Sequence, residues 1–138
     1  MRPAFPSLTS MLGRAAVIAF AATARPANAM CFYRDILGLR FVADEEYALV
    51  FDAAGTMLRL AKLEAVNPAP HTVLGWQVAD VDEVVRGLAL RGVVFEQYPW
   101  MRQDELGIWT APGGARVAWF KDPDGNLLSV TQTQQRSA

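Results

Sequence analysis

Histidine and cysteine are the scarcest reactive residues in this chain, with one of each, His71 and Cys31, among 138 residues. One imidazole cannot furnish a 2-His-1-carboxylate iron site or a three-histidine catalytic zinc site within one chain. One thiol excludes an intrachain disulfide and a cysteine-based zinc knot. It is compatible with a reducing compartment, so a cytoplasmic location is the expectation. Charge of one sign is also lacking. Thirteen Lys+Arg against fourteen Asp+Glu leave a net charge of −1. With no basic excess, neither nucleic acid nor an anionic membrane is expected as a partner. No apolar run is long enough to span a bilayer. Hydrophobic residues, by contrast, make up 52% of the chain. That is ample for one compact domain, or for two half-domains sharing a core.

The N-terminus allows two readings. Arg2 and Arg14 precede the apolar stretch 15–22, and Ala27-Asn28-Ala29 has the outline of a secretory cleavage site. We prefer a buried strand over 16–22, because Arg14 and Arg25 bracket a run short for a signal segment. Residues 1–10 read as a loose extension and 135–138 as a tail. A single domain spans 11–134, with a first module at 14–63, a linker at 64–71 and a second module at 72–132.

The two modules repeat one order of elements. Pro26 opens a helix that Gly38 stops, and Asp80 caps a helix that Gly92 stops, with Glu83 placed as in a capping box. Phe41 and Phe95 each follow their glycine by three residues. Alternating apolar residues predict strands at 39–43, 47–51 and 56–62 in module one. In module two they predict strands at 72–78, 93–97, 107–110, 115–121 and 127–132. The fold class is α+β, two βαβββ modules forming a curved mixed sheet with outer helices and a groove within.

Three stretches carry a resemblance to a known family: Phe32-Tyr33-Arg34-Asp35-Ile36-Leu37-Gly38-Leu39, Val78-Ala79-Asp80-Val81-Asp82 with Leu90-Arg91-Gly92-Val93, and Phe120-Lys121-Asp122-Pro123-Asp124-Gly125-Asn126. Together the chain resembles the vicinal oxygen chelate superfamily of glyoxalases, bleomycin-resistance proteins and extradiol dioxygenases. The resemblance implies metal ligands near Ile18, Arg59, Val73 and Ser129, where family enzymes carry His or Gln and Glu. Two aliphatics, a cation and a hydroxyl do not suit a divalent metal, so no metal cofactor is expected. The alternative is a metal-dependent glyoxalase-like lyase using His71 with displaced carboxylates such as Glu64 or Glu96. A homodimer is common in such families and is expected here.

The remaining candidates concern ligand binding. Arg59 alternates with Leu58 and Leu60, which places its guanidinium opposite the packed side, either in water or in a groove gripping an anion. Gln77 and Ser129 are floor residues by the same parity. Tyr47, Trp100 and Trp109 are apolar walls, the last two flanking a long loop placed as a lid. Trp76 and Trp119 read as core and edge packing. Asp104 and Glu105 point oppositely and make a poor acid/base pair. The acids at 122–126 lack the Gly and Glu of a calcium loop and read as a turn. The expected function is metal-free binding of a small, anionic organic molecule. A module for protein interaction through the tryptophans is the third reading, and whether the chain is an enzyme is left open by its residues.

Overall fold

The computed structural model describes residues 11–134; the extension 1–10 and the tail 135–138 lie outside the described residues. Strand β1, Ile18–Thr23, occupies the apolar N-terminal run, but it is not the buried strand expected there: as the first strand of its sheet it leaves Ile18 and Phe20 exposed. Helix α1 starts with Pro26 in its first turn and spans Pro26–Met30. It then widens into a π-helical segment, Cys31–Ile36, closed by a bond from the Leu37 amide to the Phe32 carbonyl at 2.9 Å. Strands β2 (Arg40–Asp44), β3 (Ala48–Ala53) and β4 (Thr56–Lys62) complete the first module. The second has β5 (Leu74–Gln77), α2 (Val81–Leu90), β6 (Trp109–Thr110), β7 (Arg116–Lys121) and β8 (Leu127–Gln132).

Each module builds one four-stranded mixed sheet, β1-β4-β3-β2 and β5-β8-β7-β6, in the same order. The first strand of each module lies parallel to the last, and the remaining pairs are antiparallel. The βαβββ repeat read from the sequence is thus present, and its glycine stops are too. Gly38 and Gly92 both hold positive φ, +79° and +95°, where a side chain would be strained. Asp80 caps α2 by accepting from the Glu83 amide, and Val81, Val85 and Leu88 bury one face at helical spacing.

One expected strand is absent. Residues 93–97 make a single bridge, Phe95 to Phe120, rather than a ladder. The reason is a side chain that takes the strand's place. Gln103 donates to the carbonyls of Glu96 and Gly107 at 2.9 and 2.8 Å and accepts from the Tyr98 amide at 2.7 Å. Backbone groups satisfied this way need no neighbouring strand.

One hydrophobic core joins the helix-bearing faces of both sheets. It contains Leu49, Phe51, Leu58 and Leu60 from the first sheet and Ala118, Phe120, Leu128 and Val130 from the second. The widened turn of α1 places adjacent residues on both. The Tyr33 ring lies 5.8 Å from Phe51, and the Phe32 ring 6.3 Å from Phe120.

The turn between β7 and β8 clasps the modules together. Buried Asp122 accepts from the Tyr33 hydroxyl at 2.7 Å and from the amides of Asp124 and Asn126. Asp124 accepts from the Thr23 hydroxyl at 2.6 Å and the Ala24 amide at 2.8 Å, while Asn126 donates to the Ala22 carbonyl. This is a structural turn, as the sequence implied, and burial together with Asp122 pushes the Tyr33 phenol upward.

Candidate functional site

Strand parity divides each sheet into a packed face and an open face. In the first module, Leu58 and Leu60 are fully buried, so Met57 and Arg59 emerge on the open side. Register aligns Phe20, Arg59 and Val50 across three strands. Phe20 is 61% exposed, and Ile18, Met57 and Val42 are exposed on the same sheet. Arg59 donates from Nη2 to Glu45 Oε1 at 2.8 Å, its side chain 29% exposed. The Glu45 side chain arrives there because Lys62 holds the β2–β3 turn, binding the Asp44 carboxylate and, at 2.7 Å, the Glu45 carbonyl.

The second module repeats the row as Gly75, Ser129 and Trp119. Ser129 is buried, and its Oγ occupies the space a Gly75 Cβ would need, 2.7 Å from where that atom would lie. Beside it stands an aromatic group that sequence reasoning only half found. The Trp109 and Trp119 rings lie 6.1 Å apart, Tyr98 meets Trp119 edge-on at 5.9 Å, and Trp100 stacks on Tyr98 at 5.0 Å. Trp119, read from the sequence as packing, faces this group. The available signal was the alternation with Ala118 and Phe120, both buried on the other side.

The loop carrying Trp100, expected to act as a lid, is braced by hydrogen bonds to its own backbone. Besides the Gln103 brace, Asp104 accepts from the Leu106 and Ile108 amides, both at 2.9 Å. Arg116 pairs with Asp82 in the first turn of α2 and reaches Asp104 at 3.9 Å. The Arg116 hydrogen bond holds the Asp82 carboxyl below the usual carboxylate range. Burial, then the neighbouring Glu96 charge, raise the Tyr98 phenol.

The candidates therefore sit on two surfaces. Arg59 belongs to the first sheet, with Tyr47 at its rim, 74% exposed, where its carbonyl accepts from the Lys62 amide. Ser129, Trp100 and Trp109 gather on the second. Gln77 is at that sheet's edge, lining a cavity of about 690 Å³ with Val78, Gly114, Gln132 and Gln134. The described cavities do not join Arg59 to Gln77 or Ser129.

The metal slots implied by resemblance hold Ile18, Arg59, Val73 and Ser129. A guanidinium, two aliphatics and one hydroxyl do not fit a divalent ion. His71 is exposed, with Nδ1 3.1 Å from the Thr72 carbonyl. Among the described residues no group of three or more His, Cys, Asp or Glu is placed to hold a metal. Cys31, the first residue of the π-helical segment, is exposed.

Comparison with known proteins agrees with this architecture. The chain is similar to the uncharacterized protein YraH of Bacillus subtilis, 33% identical in an alignment 115 positions long that covers 72% of this chain and 83% of that protein. Its fold is similar to a lactoylglutathione lyase from Agrobacterium tumefaciens, with TM-score 0.67, 20% identity, and coverage of 86% of this chain and 93% of that one. A superfamily member from Sphaerobacter thermophilus gives TM-score 0.65 at 24% identity, covering 86% and 98%. The family model described as the Glyoxalase/Bleomycin resistance protein/Dioxygenase superfamily matches residues 15–130, and the chain belongs to that superfamily.

Proposed function

We propose that this protein binds a small organic acid, without a metal ion, in a groove that two copies of the chain build together. The carrying observation is the pair of unlike open faces. One presents Arg59 among exposed apolar side chains, and the other presents Ser129 beside the Tyr98–Trp100–Trp109–Trp119 group. Both turn away from the core that their packed faces share. A two-fold dimer laying one copy's first sheet against its partner's second sheet covers both and forms two such grooves. In each, Arg59 faces the hydroxyl and aromatic walls of the other copy, a few polar groups within an apolar site.

The donor set at Ile18, Arg59, Val73 and Ser129 favours this reading over a metal-dependent lyase. A guanidinium supplies fixed positive charge and paired donors for a carboxylate, so no ion is needed to hold one. The single thiol and the even charge balance keep a cytoplasmic location within the reading. No helix among the described residues is long and apolar enough to cross a membrane.

Titration with 4-phenylbutyrate, followed by tryptophan fluorescence, tests the proposal. The expected result is saturable quenching that is identical before and after dialysis against EDTA. A stoichiometric metal in the purified protein, together with loss of the response on chelation, would overturn it.

A further inference from the structure

Arg59 is already engaged by a carboxylate of its own chain, and the manner of that engagement is informative. The contact is single, Nη2 to Glu45 Oε1 at 2.8 Å. The other cations of this sheet have their own acids, Lys62 with Asp44 and Arg40 with Asp52. The turn presenting Glu45 is pinned by Lys62 from two directions, so the Glu45 side chain is delivered to Arg59 rather than wandering there. Beside the pair the surface is apolar on one side, where Phe20 is exposed in register with Arg59 and Ile18 and Met57 are exposed along the neighbouring row, while Val50, in register on the other side, is buried. A half-exposed glutamate over such a surface brings charge but nothing to cover the exposed Phe20 and Met57.

We infer that Glu45 is an internal stand-in for the ligand's carboxylate, and that the natural ligand is a monocarboxylate with an apolar body, which displaces Glu45 from Arg59 and covers Phe20. This rests on the proposed function and names its ligand class. An incoming acid exchanges one carboxylate for another on the guanidinium, so charge balance at Arg59 is unchanged. The surplus that drives exchange is the apolar area its body removes from water. Glu45 swings away from the guanidinium, and half of its side chain is already exposed in the isolated chain. The arrangement also selects against neutral ligands, which would leave Glu45 in place and gain only the apolar contact.

Calorimetric titration of 4-phenylbutyrate and of its uncharged analogue 4-phenylbutan-1-ol into the full-length protein decides the matter. Removing the competitor with Glu45→Gln should tighten the acid by about two- to fivefold, the worth of a partly exposed ion pair, and leave the alcohol unchanged. Arg59→Gln should abolish the preference for the acid, and Glu45→Gln added to it should have no further effect. Unchanged acid affinity in Glu45→Gln, with Arg59→Gln still weakening it, overturns the stand-in role while the proposed function stands. Equal binding of the acid by wild type and Arg59→Gln, or no saturable binding by wild type and Glu45→Gln alike, overturns both.

Discussion

The two modules share a packing solution and differ in what they display. On the packed side, Phe51, Leu58 and Leu60 are answered by Phe120, Leu128 and Val130, all buried. On the open side, the matching rows are Phe20–Arg59–Val50 and Gly75–Ser129–Trp119. One offers a cation between apolar side chains, the other a small hydroxyl beside a tryptophan. The packed face must fill a common core at near-crystal density, which leaves few side chains that fit. The open face carries no such requirement, and there the copies of the repeat have diverged in chemistry. Function on such a scaffold follows from the open rows, and shared fold says little about it.

Removing one phenylalanine from each kind of face should break the comparison most sharply. Phe120→Ala removes a fully buried ring and should cost about 3–5 kcal/mol in urea unfolding. Phe20→Ala on the open face should leave unfolding of the isolated chain within roughly 0.5 kcal/mol, while weakening self-association in sedimentation. Equal costs for the two would show that the open face is core.

A smaller effect is expected at the clasp. Tyr33→Phe deletes the buried hydroxyl that donates to Asp122 and should cost about 1–3 kcal/mol, with both modules still unfolding in one transition. Separate transitions would mean that the modules hold themselves together individually. The smallest effect is a pH dependence at the Arg116–Asp82 pair of module two. The Asp82 carboxyl is held below its usual value by Arg116. Its contribution is therefore complete above the unfolded value of about 3.9 and fades as pH falls through the folded one. The Tm difference between wild type and Asp82→Asn should be constant near neutrality and shrink under acid.

Much of the fold was legible because short-range chemistry writes it. Asp80 with Glu83, the glycines that end both helices, and Leu58–Arg59–Leu60 each specify local geometry through neighbours within a few residues. The strand expected at 93–97 was not legible as a loop, because its carbonyl at Glu96 is claimed by Gln103, seven residues on, across irregular backbone. The site was half legible for the same reason. Parity exposed Arg59 and Ser129, but Glu45 lies 14 residues from Arg59 and reaches it only through a turn that Lys62 anchors. Trp119 has the composition of a core residue, and its face is fixed by register with Ser129.

The clasp at 122–126 also sets a clock on biosynthesis. Tyr33 waits for an acceptor 89 residues further along, and the Ala22 carbonyl for a donor 104 residues away. At roughly 5–20 residues per second, a ribosome needs about 4–18 seconds to make the first of those distances. For that interval the N-terminal half, although complete in its own strands and helix, carries polar groups meant for burial with nothing to meet them. The chain is a repeat in architecture but a single unit in maturation. A nascent first module released alone should be a target for proteolysis, and a gene cut between the modules should yield fragments that survive only when they find each other.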